Sequence, residues 1–134
     1  MALTKTTLIK VDSSGNMKSR NGRRINLNLA VLSTAVSSLK VAAYTVLGTD
    51  CTVRGDTTAA SLVFTLPTAA SSYDATTSTG QIFNFKKSDS GATTNTLTVK
   101  GDGTELIDLA NTSVLSGAQS KVTVQSNGTA WMTI

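Results

Sequence analysis

Ser61-Leu62-Val63-Phe64-Thr65-Leu66-Pro67 decides the fold class. Leu62, Phe64 and Leu66 alternate with Val63 and Thr65, the period-two pattern that gives a strand one apolar face. Pro67 ends the run because it brings no N–H to a strand ladder. The signature recurs downstream. Phe83 and Phe85 alternate with Asn84, and Ser88-Asp89-Ser90-Gly91 follows as a turn. Leu97 and Val99 flank Thr98 before Gly101-Asp102-Gly103. Ile107 with Leu109, Val122 with Val124, and the stretch from Trp131 to Ile134 complete the strand candidates, with Asn127-Gly128 as a hairpin signal. Six or seven strands fit between residues 41 and 134, so the expected fold is mainly β, a small antiparallel domain.

Ahead of this region the pattern is ambiguous. Ile25, Leu27, Leu29 and Val31 alternate as in a strand. Ile25, Leu29, Leu32, Val36, Leu39 and Ala43 instead follow the four-three spacing of a helical seam. The seam favours one short helix over residues 25–43, at the end of an extended polar arm with turns at Asp12-Ser13-Ser14-Gly15-Asn16 and Asn21-Gly22. Charge divides the chain in the same place. Residues 1–40 carry a net +6, against a net −2 for residues 41–134. The organisation expected is therefore a basic arm with a short helix over residues 1–40 and a β-rich module over residues 41–134.

Composition excludes most chemistry. The 134-residue chain has no His, a single Glu (Glu105) and a single Cys (Cys51), which removes the usual proton-transfer residue and any paired-thiol redox or Cys-based zinc site. No catalytic residue, metal site or cofactor is expected. Asp102, Glu105 and Asp108 lack the alternating ligand spacing of a calcium loop and read as a turn beside strands. Cys51 reads as a small buried apolar residue. The N-terminus lacks the apolar core of a secretory signal, and no run of 18 apolar residues occurs, so neither export nor a membrane partner is expected. Asn111-Thr112-Ser113 and Asn127-Gly128-Thr129 fit a glycosylation pattern that such a context would not use.

Charged residues make up 15% of the chain, while 16 Ser and 23 Thr cover its surface with hydroxyls. Strand edges without charges invite pairing with other chains, and six aromatic residues make a thin core, so packing between copies is expected to complete the fold. A self-sufficient β sandwich is the alternative.

From about Tyr44 to Ile134 the sequence resembles a β module of bacteriophage virion proteins, found in tail fibres and in capsid-attached head-fibre and decoration (cement) proteins. The likeness rests on the 61–67 segment, on Gly80-Gln81-Ile82-Phe83-Asn84-Phe85-Lys86-Lys87-Ser88-Asp89-Ser90 and on Asn95-Thr96-Leu97-Thr98-Val99. It continues through Gly103-Thr104-Glu105-Leu106-Ile107-Asp108 and from Ser120 to Trp131. The resemblance implies a structural protein without chemistry, a homotrimeric β-prism or knob on a threefold axis. The trimer core would comprise Leu62, Phe64, Leu66, Phe83, Phe85, Leu97, Val99, Val122 and Val124. It implies a virion location, with assembly in the host bacterial cytoplasm. The chain ends directly after Trp131-Met132-Thr133-Ile134 without a distal tip, which favours a head fibre or decoration protein over a tail fibre. A tail-fibre or host-glycan-binding adhesin is the alternative.

Within the arm, Lys18, Arg20, Arg23 and Arg24 cluster around Asn21-Gly22. Arginine forks suit carboxylates and phosphates alike, but no aromatic residue interleaves them, which disfavours nucleic acid and favours docking on an acidic protein surface, with a solvated, unbound tail as the alternative. Under the resemblance the partner is expected to be the major capsid protein. Lys86 and Lys87 read as solvated at a strand end, with a bridge to a neighbouring subunit's Asp as the alternative. Arg54-Gly55-Asp56 matches a cell-adhesion tripeptide and reads as an ordinary turn. Trp131 reads as a lid on the core rather than as a sugar-stacking platform.

Overall fold

A computed structural model describes residues 10–11, 17–18, 36–89 and 94–134. The chain divides into two compact units, Met1–Leu32 and Ser33–Ile134. In the first, β1 (Lys10–Val11) pairs antiparallel with β2 (Met17–Lys18), in the register Lys10 to Lys18 and Val11 to Met17.

The second unit is mainly β. Its strands are β3 (Tyr44–Thr45), β4 (Thr52–Gly55), β5 (Leu62–Thr65), β6 (Tyr73–Asp74), β7 (Thr79–Gly80) and β8 (Ile82–Lys87), followed by β9 (Leu97–Lys100), β10 (Thr112–Leu115), β11 (Lys121–Ser126) and β12 (Trp131–Thr133). Ala70–Ser72 forms one short 3₁₀ turn. One four-stranded sheet has the order β10-β9-β5-β3, another the order β12-β11-β8-β4, and β6 and β7 form a small ribbon.

The expected all-antiparallel arrangement is corrected here, because the sheets are mixed. β5 runs parallel to both β3 and β9, and β4 runs parallel to β8. The cause is topological. From β3 to β5 and from β5 to β9 the chain visits the other sheet before returning, so neighbours in one sheet arrive pointing the same way. Antiparallel pairing appears where the chain turns back locally, at β9 with β10 and β11 with β12, and also between β8 and β11, where the β9–β10 hairpin in the other sheet reverses the chain before it returns. The β11–β12 hairpin uses Asn127-Gly128 as the sequence suggests. Gly128 has φ +94°, and Asn127 N donates to Ala130 O at 3.0 Å.

Alternation explains the core. Leu62, Phe64, Leu97, Val99 and Leu115 from one sheet and Val53, Phe83, Phe85, Val124 and Trp131 from the other belong to a single buried cluster. Fully burying a side chain of this size contributes about 1.5–3 kcal/mol over leaving it exposed, so this cluster dominates the unit's stability. Rings run through it in sequence: Tyr44 to Phe64 at 6.0 Å, Phe64 to Phe85 at 6.4 Å, Phe85 to Phe83 at 6.4 Å and Phe83 to Trp131 at 5.5 Å. Gly55 makes room for this stack, since a Cβ there would lie 2.9 Å from Phe64 Cζ.

The helix expected over residues 25–43 falls partly outside the described residues. Where it is described, from Val36 onward, it is absent and the backbone is extended instead. Val36 bridges Thr52 and Lys40 bridges Gly55, both parallel. Ser37 N donates to Thr52 O at 2.8 Å and Lys40 N to Arg54 O at 2.9 Å. The free edge of β4 offers these backbone groups partners, and that outweighs two and a half heptads of helical spacing.

Candidate functional site

Of the four residues expected to dock on a partner, Lys18 lies in β2, while Arg20, Arg23 and Arg24 lie outside the described residues. The nine residues expected to face a shared axis are described in full, and they are enclosed within one chain. Leu62, Phe64, Leu66, Phe83, Phe85, Leu97, Val99 and Val124 are buried, and Val122 packs against them. A second sheet from the same chain covers what a neighbouring copy was expected to cover. The sheets are thin individually but face each other, which is how the chain obtains a core with only six aromatic residues.

Lys87 corrects the solvated reading. Its side chain is 0% exposed and its Nζ lies 2.7 Å from Asp89 Oδ2, within the same chain. Gln119 N donates to Asp89 Oδ1 at 3.3 Å, so the carboxylate is held from two directions. The signal was present in the sequence. With Phe83 and Phe85 inward, one more step of the alternation sends Lys87 inward and Lys86 outward. Lys86 Nζ instead donates to the Gln119 carbonyl.

Arg54-Gly55-Asp56 is likewise not a turn. Arg54 and Gly55 belong to β4, paired with Lys86 and Lys87, and Gly55 is buried under the Phe64 ring. Asp56 follows the strand and accepts from Thr58 N at 2.9 Å. The hydroxyl and amide of Thr58 hold its pKa below the ordinary carboxylate value.

Glu105 and Asp108 have separate duties. Glu105 accepts from Ala69 N at 3.0 Å and 2.9 Å and from the Trp131 indole Nε1 at 3.3 Å. Trp131, 0% exposed, is thereby a lid tied to the core rather than an open platform for a sugar ring. Asp108, at φ +55°, accepts from Thr133 Oγ1 at 2.6 Å and Thr133 N at 3.1 Å, and these bonds lower its pKa. Ile107 and Leu109 do not form the strand expected of them. Ile107 makes isolated bridges to Ala110 and Trp131, and Leu109 is 95% exposed. The strand here is β10, hidden in the sequence because the two apolar residues of Thr112-Ser113-Val114-Leu115 are adjacent and do not alternate. Cys51 is half-buried and forms no disulfide.

What the fold leaves outward is arranged in rows. On the first sheet Thr98 pairs with Val114 on one side and Val63 on the other, and both valines are exposed. On the second sheet Lys121 pairs with Lys86, and Lys86 with Arg54, which sets three cations abreast. Parallel to them run Thr123, Asn84 and Thr52, and then Met132, Gln125 and Ile82. Among the described residues no group of three His, Cys, Asp or Glu is placed to hold a metal ion, and no helix is long and apolar enough to cross a membrane. No protein-family model, curated protein or solved structure matches the chain.

Proposed function

We propose that the chain is a non-enzymatic structural protein of a bacteriophage virion, a capsid decoration, cement or head-fibre protein. In this reading it is a homotrimer that docks on the major capsid protein through the basic arm bearing Lys18, Arg20, Arg23 and Arg24. The observation that carries the oligomer is the outward row of Val63, Thr98 and Val114 on a sheet face that bears few charges. Two exposed valines flanking a threonine on a sparsely charged sheet face suit an interaction site, and a second copy supplies a surface of matching chemistry. Leu109 at 95% exposed and Val41 at 73% extend the same argument to the loops. The sequence resemblance supports the virion assignment, and the concentration of positive charge in residues 1–40 supports the arm as anchor.

Two measurements test this. Light scattering on the purified protein is expected to give the mass of three chains at micromolar concentration, and the mass of one chain would overturn the trimer. Deleting residues 1–24 is expected to leave a folded trimer that no longer binds capsids, and retained binding at full occupancy would overturn the anchoring role.

A further inference from the structure

We propose that the outer face of the β12-β11-β8-β4 sheet is a second docking surface, built for a protein partner that presents two or three carboxylates. This rests on the docking role proposed above and adds a contact that the arm does not provide.

Arg54, Lys86 and Lys121 stand directly opposite one another on β4, β8 and β11. Neighbouring strands are about 4.8 Å apart, so the backbone positions of the three residues span only about 10 Å. Like charges facing across strands destabilise a sheet, and two such pairs occur side by side here. The second unit itself does not relieve the repulsion. The side chains of Arg54 and Lys121 make no hydrogen bond or ion pair among the described residues, and Arg54 Nε is buried without an acceptor. Lys86 Nζ spends one donor on the Gln119 carbonyl, an uncharged partner. The nearest acid along the chain, Asp56, turns to Thr58. A partner's carboxylates would bind between these heads and remove a strain that the sheet carries when free.

The rest of the face selects among anionic partners. Ile82, 43% exposed, lies four residues along β8 from Lys86, about 13 Å away, and Met132 is exposed in the same row. Thr123, Asn84 and Thr52 fill the interval. A face graded from cationic through hydroxyl and amide to apolar fits a folded protein surface with an acidic rim and an apolar centre. A nucleic acid or sulfated chain would gain nothing from Ile82 and Met132, would find no aromatic residue on this face to stack on, and would meet a basic row shorter than its charge spacing exploits.

The test uses the full chain, with Arg23→Ala and Arg24→Ala introduced to quiet the arm, titrated at low salt with a hexa-aspartate peptide and separately with a single-stranded oligonucleotide. Amide resonances of residues 52–54, 84–86 and 121–123 are expected to move with the peptide. Lys121→Glu is expected to weaken peptide binding about five- to ten-fold, and Lys100→Glu on the other sheet to change it less than about two-fold. Shifts confined to residues 1–40, equal effects of the two substitutions, or tighter binding of the oligonucleotide would each overturn the proposal. Because the purified protein and a peptide are used, failure here is distinct from failure to bind capsids.

Discussion

Lys87 Nζ lies 2.7 Å from Asp89 Oδ2, and neither side chain reaches water. A charge enclosed in this way is costly unless it is matched, so the two residues form one unit. Lys87→Met alone removes the 2.7 Å ion pair from the enclosed Asp89 carboxylate and is expected to cost about 3–5 kcal/mol in urea unfolding. Adding Asp89→Leu is expected to recover more than half of that loss. Additive losses in the double variant would show that the two residues act independently.

Gly55 and Phe64 give a second prediction. A Cβ at position 55 would come within 2.9 Å of Phe64 Cζ and 3.2 Å of Leu97 Cδ1. Gly55→Ala is therefore expected to destabilise the domain by about 1–3 kcal/mol through overpacking. In a Phe64→Leu background the same substitution is expected to cost measurably less, because the ring that it meets is gone. Equal costs in both backgrounds would place the effect in the backbone instead.

Glu105 joins the 3₁₀ turn to the final strand by accepting from both Ala69 N and the Trp131 indole. Glu105→Ala leaves two donors without their acceptor, at an expected cost of about 1–3 kcal/mol. Trp131 is the single tryptophan, so its emission reads the site directly and is expected to shift to the red as water gains access. Glu105→Gln keeps one acceptor oxygen and is expected to shift less. Identical spectra for the two variants would dissociate Trp131 from Glu105.

The Asp108 carboxylate is held below its ordinary pKa by the Thr133 hydroxyl and then by the Thr133 amide. A depressed folded-state pKa contributes stability that is present above the unfolded-state value and is lost as pH falls through the folded-state value. Thr133→Val removes the larger cause. It is expected to raise the Asp108 pKa toward that of a free aspartate, as followed by carboxyl NMR, and to flatten the acid limb of the stability profile. An unchanged Asp108 titration would assign the effect to the backbone bond.

The sequence revealed what alternation alone controls. Leu62 with Phe64, Phe83 with Phe85, and Leu97 with Val99 each place a strand and its buried face by period two, and Asn127-Gly128 places the last hairpin. The partner strands could not be read in this way. Whether β5 lies beside β9 in parallel or beside a neighbour in antiparallel depends on where the intervening chain travels, and no residue of β5 encodes that path. β4 was missed because Gly55 looks like a turn in one dimension and is a space for Phe64 in three.

The candidate surfaces were less legible. Arg54, Lys86 and Lys121 are far apart in the chain, and only register brings them abreast. Lys87 continues the alternation of Phe83 and Phe85, but its charge at a strand end masks the inward position that the pattern gives it. The helical spacing from Ile25 to Ala43 misled at its described end, because the backbone of Val36 and Lys40 finds partners on β4 that the sequence does not announce.

The way the chain passes back and forth between its two sheets also governs how it acquires its structure. Leu62 must wait for Leu97, and Phe83 for Val124, before either sheet has its inner neighbours. A nascent chain released as far as Lys87 holds Phe64, Phe83 and Phe85 with only one of their two neighbouring strands, β3 beside β5 and β4 beside β8, and lacks β9 and β11. Such long-range pairing belongs to the slow end of two-state folding, on the order of milliseconds to seconds. Synthesis of β11 and β12 is therefore the committing event, and a chain truncated before Lys121 will aggregate instead of yielding half of the domain.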